Sequence, residues 1–339
     1  MTQSNTILAL KPLGFMWPTT NPFLFCAHHL DEYPAGNEAM GPDASLSGRD
    51  MGQDFTPKDG WRMYHGRKVP GFPVHPHRGF ETITIVRSGF VDHSDSHGQA
   101  GRYGMGDVQW MTAGSGLQHS EMFPLLNREE KNPTELFQLW LNLPKSKKFA
   151  EPHFKMLWSE DIPLHKIIDE NGKQLEINVI AGAIDQVVPL PAAPDSWAAD
   201  PGNQIAVWTV KMESGTKWII KPATEGVNRT IYFHTGLSLE INGIKVKSNQ
   251  AIELRGDQET TIINGDLECQ LLLLQGKPIE EPIVQYGPFV MNSQVEIQQA
   301  MTDYRKTEFG GWPWPMNEMV HPHSRGRFAK YRDGSEEIR

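Results

Sequence analysis

Cysteine is nearly absent from this sequence, with two, Cys26 and Cys269, in 339 residues. They lie far apart in the chain and in different prospective domains, so neither a disulfide framework nor a thiolate metal site is expected, and both thiols are read as reduced and buried. A basic excess is lacking as well. The formal charge of -9, with acidic and basic residues mixed along most of the chain, leaves no broad positive field of the kind that non-specific DNA binding uses. Direct binding to nucleic acid is therefore not expected. No apolar run approaches the ~20 residues that cross a bilayer. LLLL at 271–274 is far too short, and the opening MTQSNTILALKPLGF has no basic region followed by a sustained apolar stretch. The expectation is a cytoplasmic protein without a membrane segment.

Turn formers, in contrast, are abundant: 31 Gly and 25 Pro point to many short elements, and the length suffices for two domains with full cores. ETITIV at 81–86 alternates and is rich in β-branched residues. Similar runs follow at 106–112 (GDVQWMT) and 134–143 (TELFQLWLNL), separated by glycines. Short strands at this spacing predict a sandwich or barrel. A segment rich in Pro, Ala and Asp at 187–203 reads as a linker, after which strands resume with IAVWTVKM, TIYFHT, LSLEING, AIELR and LECQLLLL. Ser293 and Glu296 fit a capping box that opens a helix to about Phe309. The expected organisation is an all-β protein of two tandem barrels with a short C-terminal helix. Its parts are 1–186 (N-terminal domain), 187–203 (linker), 204–291 (C-terminal domain) and 292–339 (helix and a peripheral basic tail). Residues 31–74 hold many turn signals and little periodicity, and read either as a lid over a pocket or as a surface insertion.

His75-Pro76-His77 carries the sharpest chemical signal, because side chains two apart on a strand share a face and can hold one metal together. His119-Ser120-Glu121 repeats that geometry, and two strands facing each other across a barrel would deliver four ligands to one point. A lone His-x-His is commonly incidental; two such pairs change that reading. Three imidazoles and a carboxylate suit iron, manganese, nickel, copper or zinc, and leave two octahedral positions free. His321-Pro322-His323 repeats the tripeptide without a following strand and is left out of the site. His28 and His29 are adjacent, so on a strand they face opposite ways and read as structural. His65, His93 and His97 lack a pairing pattern. Trp110 and Met111 read as core and pocket wall.

HPHRGFETITIV, then GDVQWMTAGSGLQHSEM, then YGPFVMNSQVEIQQAMTDYR resemble, in order and spacing, the signature blocks of the pirin family, a branch of the cupin superfamily. The resemblance spans nearly the whole chain. It implies two tandem cupin barrels (double-stranded β-helix, or jelly roll), with one metal ion in the N-terminal barrel on His75, His77, His119 and Glu121. The implied ion is Fe(II), with Mn, Ni, Cu, Zn or Co as the other candidates. In many cupins the carboxylate ligand stands where Glu81 stands here; the pirin pattern gives that role to Glu121. Glu81 is then expected on the same strand face as the histidines, accepting from an imidazole or pairing with Arg78. If Gly236 corresponds to Gly89, the second barrel has Pro222 and Thr224 at the two histidine positions and is expected to be metal-free, with His234 structural. The long 31–74 segment departs from the commonest pirin layout.

For several bacterial pirins the resemblance implies a quercetin 2,3-dioxygenase-type enzyme acting with O2 on a small aromatic flavonol- or catechol-like substrate. Glu121 would be its catalytic base. For other pirins it implies a non-enzymatic, metal- or redox-dependent regulator that binds a transcription factor or a metabolic enzyme. The basic cluster Arg325, Arg327, Lys330 and Arg332 could then meet an acidic protein. A monomer is expected.

Overall fold

The computed structural model describes residues 6–339; residues 1–5, the start of the stretch read for a leader, lie outside the described residues. Strands dominate the regular structure, and among the described residues there is one α-helix, Gln294–Thr307. Among the described residues no helix is long and apolar enough to cross a membrane.

Two compact units divide the chain. The histidine unit comprises 28–138, 143–159 and 281–339, and the companion unit comprises residues up to 27 with 139–142 and 160–280. Neither boundary falls where composition suggested. The Pro-rich 187–203 segment joins no two domains, because Leu164–Ile168 and Gln174–Ala181, which precede it, belong to the companion sheet. Gln174–Ala181 pairs antiparallel with Ala206–Met212, beginning at Leu175 opposite Met212. Ile7–Pro12 likewise adds to this sheet against Gln250–Arg255. Backbone pairing outweighs local composition in setting the boundary. Cys26 and Cys269 consequently fall in the same unit, both free and buried, and burial pushes the Cys269 thiol up to about 12.

The companion unit packs its seven-stranded sheet against a four-stranded one. Alternate residues of its strands (Ala206, Trp208, Val210, Met212; Ile231, Phe233; Leu271, Leu273) join Trp218, Leu239, Ile241 and Ile262 of the smaller sheet in one apolar core. Each fully enclosed aliphatic side chain there contributes about 1.5–3 kcal/mol. This is the period-two pattern legible in IAVWTVKM and LECQLLLL.

The histidine unit contains a six-stranded sheet and most of a five-stranded one, in the order His153–Leu157, Val108–Thr112, Phe80–Ser88, Asn132–Asn142, Phe23–Tyr33, of which residues 23–27 and 139–142 are counted with the companion unit. The six-stranded sheet runs Glu336–Ile338, Phe328–Lys330, Ala100–Gly104, Phe90–Asp95, Leu117–Met122, Gly71–His77. The tail is thus no loose appendage: Phe328–Lys330 pairs with Ala100–Gly104, and Arg325, Arg327 and Arg332 are spent on Glu336, Asp107 and Glu151. The helix starts as expected, Ser293 Oγ accepting from the Glu296 N–H at 3.3 Å. Its buried face packs Ile297 and Ala300 on Phe289 and Met291.

The segment between Tyr33 and Gly71 is irregular but internally fixed. Arg49 pairs with Asp54 at 3.0 Å and stacks on Trp61, and Trp61, Met63 and Tyr64 are buried. Tyr64 donates to Asp31 at 2.6 Å and stacks on Phe72.

Candidate metal centre

His75 and His77 share one face of Gly71–His77, and His119 and Glu121 share one face of Leu117–Met122. These two strands do not face one another across a barrel, as the sequence suggested. They are hydrogen-bonded neighbours in one antiparallel sheet, with His75 directly opposite His119. A bulge between Phe72 and His75 sets that register. Directly opposed residues have Cα atoms only about 4.5–5.5 Å apart, so adjacency converges the side chains more tightly than a cross-barrel arrangement could.

The ligand nitrogens of His75, His77 and His119 all lie within 4.8 Å of one another. Glu121 Oε2 stands 4.0 Å from His119 Nε2. His119 and Glu121 are sealed from solvent and His77 nearly so, while half-buried His75 forms the accessible edge. His75 Nδ1 lies 2.8 Å from the Pro73 carbonyl, which can only accept, so the proton sits on Nδ1 and Nε2 keeps its lone pair. Burial lowers all three imidazoles: His75 to about 4, His77 and His119 well below their ordinary range, with the neighbouring histidines adding to the effect. Neutral imidazoles are the form that binds metals.

Glu121 is held by groups with no sequence signature. Its Oε1 accepts from Thr84 Oγ1 at 3.1 Å and Tyr103 OH at 3.5 Å, and its Oε2 accepts from Gln138 Nε2. Thr84 and Gln138 come from the opposing sheet, which explains why local spacing does not reveal them. Burial raises the Glu121 carboxyl, and these three donors oppose the rise.

His119 supplies the test of fit. It is fully enclosed, yet neither ring nitrogen has a hydrogen-bond partner. An unmet buried polar group costs about 1–3 kcal/mol, so such a residue calls for a partner of another kind. Three neutral nitrogens beside a carboxylate fit a borderline divalent cation.

Glu81 has a different place. The first strand ends at His77, and Gly79, with φ +88° and no room for a Cβ against the Val290 carbonyl, turns the chain into the opposing sheet. Glu81 therefore leaves the histidine face, and its carboxylate accepts from Thr112 Oγ1 at 2.7 Å and from Trp110 Nε1 at 3.2 Å. Arg78 pairs with Asp303 on the helix at 2.7 Å rather than with Glu81. Tyr304 of the helix donates to Gln118, the neighbour of His119, at 2.8 Å, so the helix braces the ligand strand. Trp110 and Met111 are core.

Six of the other ten histidines bear on the sequence reading. His28 meets Glu135 at 3.0 Å, and His29 is buried among Tyr64, Phe72 and Phe123. His65 bonds the Gly52 carbonyl. His93 lies behind the cluster, 5.4 Å ring to ring from His119, stacked on Phe154. His321 is buried with its ring on the His93 carbonyl at 2.9 Å. His234 sits beside Trp17 and Thr235. An aromatic group of Phe55, Tyr64, Phe72 and Phe123 adjoins the open edge at His75.

Residues 19–141 match the family model described as Pirin, and residues 207–310 match that of the Pirin C-terminal cupin domain. A Pseudomonas aeruginosa protein named "Putative quercetin 2,3-dioxygenase" is 39% identical over 239 residues, covering 70% of this chain and 79% of its own. Pirin-1 of Arabidopsis thaliana is 37% identical over 243 residues, covering 71% and 78%. The crystal structure of quercetin 2,3-dioxygenase from Acinetobacter baumannii superposes with a TM-score of 0.71 at 26% identity, over 90% of this chain and 98% of that one.

Proposed function

The chain belongs to the pirin family, with two cupin domains, and from that premise we propose that His75, His77, His119 and Glu121 hold one Fe(II) ion in a dioxygenase acting on flavonol- or catechol-like substrates. The observation that carries this reading is the enclosed His119, unpartnered at both nitrogens, between two further imidazoles and a carboxylate. Similarity to proteins named as quercetin 2,3-dioxygenases supports the substrate class.

When bound, the ion would act as a Lewis acid toward a substrate hydroxyl and as an electron relay toward O2. The protein's own residues do the remaining work. His75 stands at the open edge, beside the aromatic group that a flat phenolic ring can stack on. Glu121 takes the substrate hydroxyl proton: burial raises its carboxyl above the ordinary carboxylate value and so makes it a stronger base, and Thr84, Tyr103 and Gln138 fix its aim. Enclosure of His77 and His119 keeps bulk water away from the reacting atoms.

The test is metal analysis of protein purified without air, followed by oxygen-electrode assays with quercetin and simple catechols. Iron at about one ion per chain with oxygen uptake on a flavonol is expected. Loaded protein that consumes no oxygen with any of these substrates would remove the dioxygenase reading.

A further inference from the structure

The companion unit encloses a second, chemically different site. A cavity of about 1170 Å³ opens there, lined among others by Trp208, Trp218, Ile220, Arg229 and Gln275. Every one of these stands on an inward strand face. Arg229 alternates with Ile231 and Phe233, and Gln275 with Leu271 and Leu273, all core residues, and Arg229 and Gln275 are opposite each other in the ladder. On these inward strand faces one cation and one amide interrupt apolar side chains, while charged residues such as Asp169, Lys217 and Lys221 also line the cavity.

Arg229 is 3% exposed. Its Nε donates to Gln275 Oε1 at 2.8 Å and its Nη2 to the Lys221 carbonyl at 2.9 Å, while Nη1 has no partner. Among the described residues no carboxylate pairs with it. The acids nearer the rim are already engaged, Glu170 with Lys217 at 3.0 Å and Asp185 with His165 at 3.1 Å and with Lys221. Burial alone acts on the guanidinium, pulling it down to about 10, so it remains charged at neutral pH. A buried cation with only neutral partners is an unfavourable arrangement unless an anion completes it.

We propose that this cavity binds a small organic monocarboxylate, its carboxylate on Arg229 and its apolar body against Trp208 and Trp218. The two indoles lie 6.5 Å apart, and Trp208 is fixed by donating to the Gly182 carbonyl at 2.9 Å. A single charge matches a single unmet donor edge. A polyphosphate would bring several negative charges against Asp169, Glu170, Asp185 and Asp200, which also line the cavity, while the lining lysines Lys166, Lys217 and Lys221 are already paired with Glu176, Glu170 and Asp185. No lining residue belongs to the histidine unit, so the site stands independently of the metal.

The probes are 3-phenylpropionate and its amide, titrated into the full chain by calorimetry, both in metal-loaded protein and in His119→Ala. The acid is expected to bind both forms alike, and the amide about tenfold or more weaker, as loss of a charge-assisted hydrogen bond requires. Arg229→Gln should weaken the acid to the level of the amide and leave the amide unchanged. Equal binding of acid and amide, no binding of the acid, or loss of the acid in His119→Ala would overturn the proposal, the last by placing the carboxylate on the metal. The acid and amide comparison on the unsubstituted chain decides the matter even if Arg229→Gln does not fold.

Discussion

Two units of this protein share a two-sheet β architecture and differ in what they bury on the inward face. The histidine unit encloses three neutral imidazoles and a carboxylate. The companion unit encloses an apolar core broken by one guanidinium. The expected counterparts of His75 and His77 in the second, Pro222 and Thr224, are exposed and lie between strands, and neither can ligate a metal through nitrogen. The contrast teaches that the scaffold leaves the chemistry open: a few inward positions decide whether a barrel presents donors to a cation or a cation to an anion.

That contrast can be broken or sharpened by substitution. The largest effect is expected from His119→Ala, which removes the innermost imidazole and should reduce bound metal to background, read by elemental analysis. Retention of metal by this variant would mean that the ion resides elsewhere. Glu121→Gln keeps the hydrogen-bonding shape but removes the base. Turnover on a flavonol should fall roughly 10²–10⁴-fold, measured by oxygen uptake at saturating metal. Full turnover with full metal content would take the proton-transfer role from Glu121.

On the companion side, Leu271→Ala opens a void in the apolar core and should cost about 2–5 kcal/mol in denaturant unfolding, with metal content unchanged. Loss of metal would couple two sites that the account keeps separate. Over pH 7 to 5 the smallest effect is acid sensitivity of the histidine unit through His29, which burial pushes from 6.5 to about 3. The unfolded chain takes up this proton near pH 6.5 and the folded chain only near 3. Stability from this group is therefore complete above 6.5 and declines by up to about 1.4 kcal/mol per pH unit between those values. His29→Phe should flatten the unfolding midpoint over pH 7 to 5 relative to the unsubstituted protein; an unchanged slope would show that other groups carry it.

Much of this was legible in the sequence, for reasons that are local. Alternation in ETITIV and TELFQLWLNL marks strands that the fold contains at Phe80–Ser88 and Asn132–Asn142, and Ser293 marks the start of the helix. The two ligand pairs could be read because strand periodicity places i and i+2 on one face whatever the partner strand. Their partnership could not, since register is a long-range property: the strands of His75 and His119 turned out to be direct neighbours. Glu81 was misplaced because a six-residue interval was treated as one strand, while Gly79 turns the chain within it. The domain boundary failed for the same reason, as Pro-rich composition says nothing about which sheet Gln174–Ala181 will join. Thr84 and Gln138 are ordinary strand residues until the opposing sheet brings them to Glu121, and Tyr103 until the sheet order sets its strand two away from that of Glu121.

The most direct measurement is elemental analysis of the anaerobically purified chain beside His119→Ala, each shown to be folded by its far-ultraviolet spectrum. The account predicts about one divalent ion per chain in the first and none above background in the second. A folded parent chain that holds no metal, or equal metal in both proteins, would contradict it.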